Sequence, residues 1–528
     1  MWPFIEELSV NSASVPVTVE KWVLVTTILA SSMAFIDGSA LNVALPALQR
    51  DLGISGSELL WVVNAYALFL SALLLVGGSL GDHYGRKRVF GLGIVIFTAA
   101  SAACGLAQTA GALILMRAVQ GVGAALLVPG SLAIISALVA DERRGRAIGT
   151  WSAATTITTV AGPVLGGWLA GQGLWRAVFF INLPLGALAL AILLRYVPEN
   201  RDDSARGLDY LGGALATLGL AGLTYGFIEA PAFGLADPRI LAALGLGVLA
   251  LIVFTAVQLR SKHPLVPPRL FRSRTFTGAN LLTLFLYAAL SGALFFVPLN
   301  LVQAQGYPEA IAGFTILPFM LMLTLLSRWA GGLYERIGPR LPLIIGPAVA
   351  GAGFFLLALP GVTGGPPDYW TTYFPGILVL GIGMGVTVAP LTTAVLSAVP
   401  RQNTGTASGV NNAVARTAGV LAVAIMGALA LVLFRGGLEQ RALDLGLSQP
   451  QLEAVRAEAA NLAEARPPDT LMPEQAAQVE ASIAGIFVDT FRLLMLIAAA
   501  LAWLSALLGA LLVEPGAQRV AVAEAGTG

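Results

Sequence analysis

The 528-residue chain is 57% hydrophobic and 11% charged, whereas soluble domains are roughly 45–50% hydrophobic and about 25% charged. Its 30 basic and 29 acidic residues nearly cancel, so the sequence indicates no nucleic-acid partner. One cysteine excludes an internal disulfide, two histidines argue against a zinc centre, and without a Gly-Lys-Ser/Thr loop there is no ATP-binding P-loop. We therefore expect an integral membrane protein that is not an enzyme and carries no cofactor.

Fourteen apolar stretches are long enough to cross a bilayer. About 20 helical residues are needed, because each residue advances about 1.5 Å and the hydrocarbon core is about 30 Å thick. The sequence therefore predicts an all-α membrane protein. The predicted spans cover residues 22–46, 57–79, 89–109, 111–138, 147–172, 176–197, 208–229, 239–259, 276–303, 310–334, 341–360, 373–398, 405–434 and 485–513.

Basic residues predict the orientation of the chain. The loops after the even-numbered spans from 2 to 12 carry seventeen Arg and Lys residues, and the alternate short loops carry three. Because short cytoplasmic loops are enriched in Arg and Lys, this pattern predicts a multi-pass protein of the cytoplasmic (inner) membrane with both termini in the cytoplasm. The polar segment 436–484 then lies outside, either as a solvated loop or as a docking site for a periplasmic adaptor.

One short pattern occurs twice, at the inner ends of spans 2 and 10. Residues 78–87 (GSLGDHYGRK) and 331–340 (GGLYERIGPR) share glycine, leucine, acid, glycine and base at a constant offset of 253 positions. A parallel repeat predicts two related bundles that rock around a central site. The predicted organisation is an N-terminal six-helix bundle (1–200), two inserted helices (201–262) and a C-terminal six-helix bundle (263–528).

The first copy of this repeat resembles the loop signature of the major facilitator superfamily, and fourteen spans indicate its drug:proton antiporter branch. The resemblance implies a major facilitator fold and multidrug efflux in exchange for protons. The chain departs from the family pattern at His83, Thr158 and Ser39-Ala40. Four further stretches resemble motifs of that branch: 35–46 (FIDGSALNVALP), 117–123 (RAVQGVG), 162–167 (GPVLGG) and 175–186 (WRAVFFINLPLG).

Two charged residues are predicted to lie deep in the membrane, where a charge costs about 2.5–3.5 kcal/mol on insertion scales. At about 1.5 Å per residue, Asp37 lies about 13 Å and Arg117 about 9 Å from the outer ends of their spans, so both can share one cavity. Burial favours a neutral carboxyl and a nearby guanidinium favours a charged one, which suits an acid that loads and releases a proton. The resemblance assigns the same roles, with the proton as coupling ion; the alternative is a static ion pair.

Two motifs have predicted mechanical roles. The loop residues Gly78, Asp82, Gly85, Arg86 and Lys87 are predicted to form a cytoplasmic gate, and the alternative is that they only set topology. In span 5, proline bends the helix and glycines four apart let another helix approach closely. The resemblance implies that this span seals the path against leak, and ordinary tight packing is the alternative. The span 5 residues are Gly162, Pro163, Gly166 and Gly167.

Aromatic, amide and basic side chains are candidates for the substrate cavity, since apolar pockets with few polar groups bind lipophilic ligands. Core packing is the alternative for each aromatic. Arg416 lies near mid-bilayer with no acid of its own half at that depth. It can pair with Asp37, hold a helix carbonyl or meet an anionic substrate. The candidates are Trp61, Asn64, Tyr66, Gln120, Tyr287, Phe295, Asn411 and Arg416.

These features favour a monomeric, proton-coupled exporter of lipophilic compounds. Asp37 is the one acid predicted to be deep, so we expect neutral or monocationic substrates. Two alternatives stay open. One is a dedicated exporter of a single endogenous amphiphile such as a lipid, antibiotic or siderophore. The other is the membrane subunit of an export assembly that docks through 436–484.

Overall fold

The computed structural model describes residues 16–200, 209–262, 264–400 and 403–515. This part of the chain is helical and contains no β-strand, as the apolar pattern predicts. The helices are α1 (Val17–Leu52), α2 (Gly56–Tyr84), α3 (Arg86–Leu106), α4 (Ala110–Leu138), α5 (Asp141–Gly171), α6 (Ala177–Phe180), α7 (Asn182–Tyr196), α8 (Tyr210–Phe233), α9 (Pro238–Arg260), α10 (Arg274–Leu299), α11 (Glu309–Thr315), α12 (Leu317–Ile337), α13 (Pro342–Leu357), α14 (Tyr373–Ser397), α15 (Thr404–Asp444), α16 (Gln449–Glu458) and α17 (Pro473–Leu512).

Twelve helical segments of the described chain are long and apolar enough to cross a membrane. Some are composite: α6 and α7 form one segment, and α10 continues through a π-helical turn to Ala304. The same measure leaves out α5, whose middle is rich in threonine, and α13, which has 16 residues. Both match predicted spans, but the predicted count of fourteen is not confirmed.

The turn between α1 and α2 shows how local sequence sets the helix boundaries. α1 ends where Gly53 adopts a φ of 61°, a left-handed conformation that glycine tolerates. Ser55 then caps α2, because its side chain accepts a hydrogen bond from the Glu58 N–H while the Glu58 carboxylate accepts one from the Ser55 N–H. The chain therefore reverses direction across the membrane within a few residues.

The helices pack as two groups that meet at a seam. In the first group, α2 and α3 pack against α4, and α1 packs against α5 and α7. In the second group, α12 and α13 pack against α14, and α17 packs against α10 and α13. Across the seam, α2 packs against α15 and α5 against α11. The helices α8 and α9 pack against each other, and α8 also contacts α2 and α15, so this inserted pair lies beside the seam.

The seam is closed at one end and open at the other. We call the side on which α2 begins the outer side and the side on which it ends the inner side. On the outer side, a Cβ on Gly313 of α11 would overlap the Pro163 carbonyl oxygen, and a Cβ on Gly167 would overlap that of Glu309. Further in, α12 barely contacts α5, and Gly149 on the inner part of α5 has open space around it. Along α5, the two groups of helices are therefore close at the outer side and apart at the inner side, whereas α2 and α15 stay in contact as far in as Leu75 and Gly409.

The polar segment 436–484 caps the outer end of the seam. α15 and α17 both extend into it, and α16 and a 3₁₀ turn (Ala459–Glu464) lie between them. The apolar stripe predicted for 451–465 is buried, with Leu452 only 2% and Val455 only 1% exposed. The side-chain amide of Gln49 on α1 donates to the Asn461 carbonyl oxygen at 3.2 Å. The segment is therefore packed onto the bundle and is not a solvated loop.

Candidate proton-coupling site

A buried ion pair joins α1 to α4. Asp37 has no exposed surface, and Arg117 is 1% exposed. Arg117 Nη1 donates to Asp37 Oδ2 at 2.5 Å. The structure thus brings together the two charged residues that the sequence places at similar depth.

Gln120 completes this site from one turn further along α4. Its Nε2 donates to Asp37 Oδ1 at 2.8 Å, and its Oε1 accepts from Arg117 Nη1 at 2.7 Å. Both carboxylate oxygens of Asp37 therefore accept a hydrogen bond. The role of Gln120 in the substrate cavity stays a prediction, and in the described conformation both ends of its amide are bound to the ion pair.

Aromatic rings and backbone close the other sides of the pair. The Arg117 Cζ lies 4.3 Å from the centre of the Tyr66 ring and 5.8 Å from that of Phe179. Arg117 Nε donates to the Val62 carbonyl oxygen at 3.1 Å. The expected shared cavity is thus not seen, because these groups of α2 and α6 seal Asp37 and Arg117 into the core.

The loop after α2 is held by the first group of helices. Arg86 Nε donates to Asp82 Oδ1 at 2.8 Å, and Arg86 Nη1 donates to Asn200 Oδ1 at 2.8 Å. Gly85 adopts a φ of 106°, and a Cβ there would lie 2.8 Å from the Glu199 carboxylate. Any other residue at position 85 would therefore be strained and crowded.

The remaining gate residues follow the same pattern. The Lys87 N–H donates to Glu199 at 3.0 Å, its Nζ donates to the Leu194 carbonyl oxygen at 3.3 Å, and Gly78 lies against Pro129. Within the described residues, the contacts of this loop stay on its own side of the seam, which fits the open inner side.

The glycines of α5 connect the ion pair to the outer closure. A Cβ on Gly162 would overlap the Ser39 side chain, and a Cβ on Gly166 would overlap the Ala40 backbone. Ser39 and Ala40 lie two and three residues after Asp37 on α1. The other two residues of the motif face α11. A movement of α1 at Asp37 is therefore transmitted directly to the helix that seals the outer side.

The aromatic cavity candidates are used mainly in packing. Phe295 is 2% exposed and packs edge-on against Phe296, with ring centres 5.0 Å apart, so it does not line a cavity. Trp61 Nε1 donates to Glu229 Oε1 on α8 at 2.8 Å, which ties α2 to the inserted pair. Tyr287 is half-buried against the main core.

The amide candidates are also bound within the bundle. Asn64 is fully buried, and its Nδ2 donates to the Leu60 carbonyl oxygen at 3.1 Å. Asn411 Nδ2 donates to Thr283 Oγ1 at 2.8 Å, which joins α15 to α10. Arg416 differs from both: it is half-buried, and no hydrogen bond or ion pair joins it to another described residue.

The structure also shows an outer latch that sequence reasoning missed. Arg50 at the end of α1 forms an ion pair with Glu309 at the start of α11. Beside it, Gln303 Nε2 donates to Gln49 Oε1 at 3.0 Å. The sequence contains one clue to this latch, namely two opposite charges at the outer ends of predicted spans 1 and 10. Their separation of 259 positions gave no indication of contact.

Comparison with known proteins identifies the family. The family model of the Major Facilitator Superfamily matches residues 27–424. The chain belongs to the major facilitator superfamily. Within it, the chain is 33% identical to the multidrug resistance protein Stp of Mycobacterium tuberculosis (strain CDC 1551 / Oshkosh) over 407 residues, covering 77% of this chain and 75% of that one. It is 35% identical to the puromycin resistance protein pur8 of Streptomyces alboniger, covering 77% and 80% of the two chains.

Solved structures show the same fold. A bacterial homologue of the human lysosomal transporter Spinster, in an inward-facing and unoccupied conformation, superposes with a TM-score of 0.62 at 20% identity, covering 94% of this chain and 98% of that chain. The POT family transporter PepTSo superposes with a TM-score of 0.61 at 16% identity, covering 94% of this chain and 97% of that chain. The predicted major facilitator fold is confirmed.

Proposed function

We propose that the protein is a proton-coupled antiporter that exports lipophilic compounds from the cytoplasm across the inner membrane by alternating access. The observation that carries this proposal is the sealed cluster of Asp37, Arg117 and Gln120, because ionisable residues inside the membrane are costly and typically functional. The names of related proteins support the export direction, since they refer to multidrug resistance, puromycin resistance, and tetracenomycin C resistance and export.

Protonation of Asp37 is the proposed coupling step. A neutral carboxyl attracts the Arg117 guanidinium much less than a carboxylate does, so α1 and α4 lose their strongest contact when the proton binds. Because Gly162 and Gly166 pack on the next turn of α1, the change reaches α5 and its contact with α11. In the proposed exchange, Asp37 takes up a proton while the outer side is open and releases it after the inner side opens, where the ion pair with Arg117 forms again.

The hydrogen bonds to Asp37 bear on which substrate charges the proposal includes. The sequence favours neutral or monocationic compounds because Asp37 is the one deep acid. In the described conformation that carboxylate is fully engaged by Arg117 and Gln120, so it offers no site to a cation open to the inner side. Neutral lipophilic compounds remain within the proposal.

An export-assembly subunit that docks through 436–484 is less well supported. Leu452, Val455 and Leu462 of this segment are buried, and its 3₁₀ turn contacts α2, α15 and α17. These contacts favour a role in closing the outer side of this chain. Deleting the segment should therefore impair transport by the isolated protein.

The test is dye uptake into inverted vesicles with an imposed pH gradient. Wild type should accumulate the neutral dye N-phenylnaphthylamine, and Asp37→Asn should lose this accumulation. Asp37→Glu, which keeps a titratable acid, should retain part of it. Asp51→Asn is the matched control, since it changes an exposed aspartate at the outer end of the same helix. Gradient-driven uptake by Asp37→Asn, or no uptake by wild type, would overturn the proposal.

A further inference from the structure

Arg416 lies on the face of α15 that meets α2 across the seam. On this face, Gly409 contacts Leu75, and Gly427 contacts Leu60. Arg416 is seven residues after Gly409 and eleven before Gly427, a spacing that keeps all three on one side of the helix. The guanidinium therefore projects into the seam between these two contacts.

Arg117 also lies against α2, with its Cζ 4.3 Å from the centre of the Tyr66 ring. Arg117 is neutralised by Asp37, to which it is bound directly. Arg416 has no such partner among the described residues, and Asp37 is already engaged. Its positive charge is therefore not compensated by any described residue, although the side chain is half-buried.

A polar path leads from the inner side to this charge. Asn412 lies one turn before Arg416 on α15 and is exposed, and Ser408 lies one turn before that. The spacing of four residues places the three side chains along one stripe. One turn beyond Arg416 on the same stripe, Val420 packs with Leu68 and Ala72 of α2 as an apolar wall. A ligand entering from the inner side thus meets amide, guanidinium and apolar surface in turn.

We infer that Arg416 is the recognition site for an anionic head group, so that the cavity takes amphiphiles carrying a carboxylate, sulfonate or phosphate. This inference rests on the proposed export function and names a class of its substrates. A guanidinium donates two parallel hydrogen bonds to a planar or tetrahedral oxyanion, and the bond is strongest where water is excluded. A bound oxyanion supplies the counter-charge that the described residues do not provide.

The experiment compares two probes of one scaffold, the anion anilinonaphthalene sulfonate and the neutral N-phenylnaphthylamine. Fluorescence titration of the full chain in phosphatidylcholine nanodiscs, corrected with empty nanodiscs, gives both dissociation constants. Arg416→Gln should weaken sulfonate binding by about tenfold or more, in line with loss of a charged hydrogen bond, and leave neutral binding within about twofold. Arg416→Lys should retain part of the sulfonate affinity.

The matched control is Arg435→Gln, which removes an exposed arginine near the outer end of the same helix and should change neither affinity. Unchanged sulfonate binding in Arg416→Gln, or equal loss of both probes, would overturn the inference. The titration needs no pH gradient, so it can fail while dye transport and its dependence on Asp37 persist. Loss of gradient-driven uptake of the neutral dye in Arg416→Gln would also contradict it, since this marks a coupling residue.

A resident lipid presents the same chemistry as a transported amphiphile. Repeating the titration with phosphatidylglycerol in the nanodiscs separates the two sources. Weaker sulfonate binding in wild type but not in Arg416→Gln supports an anionic site that a lipid head group can occupy. Equal sulfonate binding in both lipids supports a site kept for the transported compound.

Discussion

Arg117 makes a set of contacts that a lysine cannot reproduce. Its planar guanidinium donates to a carboxylate, an amide oxygen and a backbone carbonyl at once, and its flat face lies over Tyr66. An ammonium carries the same charge but not this fixed fork of donors. Residue identity at position 117 therefore matters as much as charge.

The ion pair predicts strongly non-additive effects on stability. Asp37→Asn and Arg117→Gln each leave one charge buried without its partner, which costs about 3–5 kcal/mol, whereas the double variant leaves none. The double variant should therefore be more stable than the sum of the single losses allows. Thermal unfolding followed by a thiol-reactive dye measures this, because Cys104 is the single cysteine and is fully buried. Simple addition of the two losses would mean that the charges do not interact.

Much of this site was predictable residue by residue, and part of it was not. Depth arithmetic placed Asp37 and Arg117 at similar levels because helix rise is constant. It could not show that Gln120 binds the pair rather than a substrate, since both roles suit an amide one turn from Arg117. Nor could it show that Phe295 is covered, because which face of α10 is buried depends on its neighbours.

At the scale of helices, the contact of α5 with α11 depends on the absence of a side chain. Gly167 and Gly171 lie one turn apart on the face towards α11, but their surroundings differ. A Cβ on Gly167 would overlap the Glu309 backbone, whereas one on Gly171 would lie 3.6 Å from Ala310, an ordinary contact. The two glycines therefore form a matched pair for testing the closure.

Gly167→Ala is expected to loosen the outer closure, because the added methyl group forces α5 and α11 apart. Proton leak into proteoliposomes, followed with a pH-sensitive dye in the lumen, should rise several-fold. Gly171→Ala should leave the leak at the wild-type level. If both variants leak equally, or neither does, close approach at Gly167 does not seal the path.

The positions of most helices followed from apolar length. The pairing of α5 with α11 did not follow, because it joins helices from the two halves of the chain. The threonine-rich middle of α5 also lowers the mean hydropathy of this helix, so composition alone only weakly indicates that α5 packs within the bundle.

At the scale of the whole molecule, the proposed alternating access requires that one side closes when the other opens. The described arrangement holds the outer side shut through the Arg50–Glu309 pair, the α5–α11 contact and the cap at 436–484. Weakening the outer latch should therefore shift the population towards a form closed on the inner side.

Charge reversal at the latch tests this shift. Spin labels at Gly149→Cys and Ile337→Cys, near the inner ends of α5 and α12, report the inner opening by pulsed electron resonance. Arg50→Glu places two carboxylates together and should add a shorter distance. Arg50→Glu with Glu309→Arg restores an attractive pair and should return the wild-type distribution. A distribution unaffected by Arg50→Glu would show that the latch does not set the balance.

Some of the contacts between the segment 436–484 and the bundle are made by main-chain atoms of the segment. The carbonyl oxygen of Asn461 accepts from Gln49, and that of Ala460 lies 2.8 Å from the place a Cβ on Gly56 would occupy. Every amino acid has the same main-chain carbonyl, so residues 460 and 461 can differ between related sequences without loss of these contacts. An insertion or deletion, by contrast, displaces the oxygens and breaks the contacts. At residues 460 and 461, the length of the segment is therefore expected to be conserved more strongly than the identity of the residues.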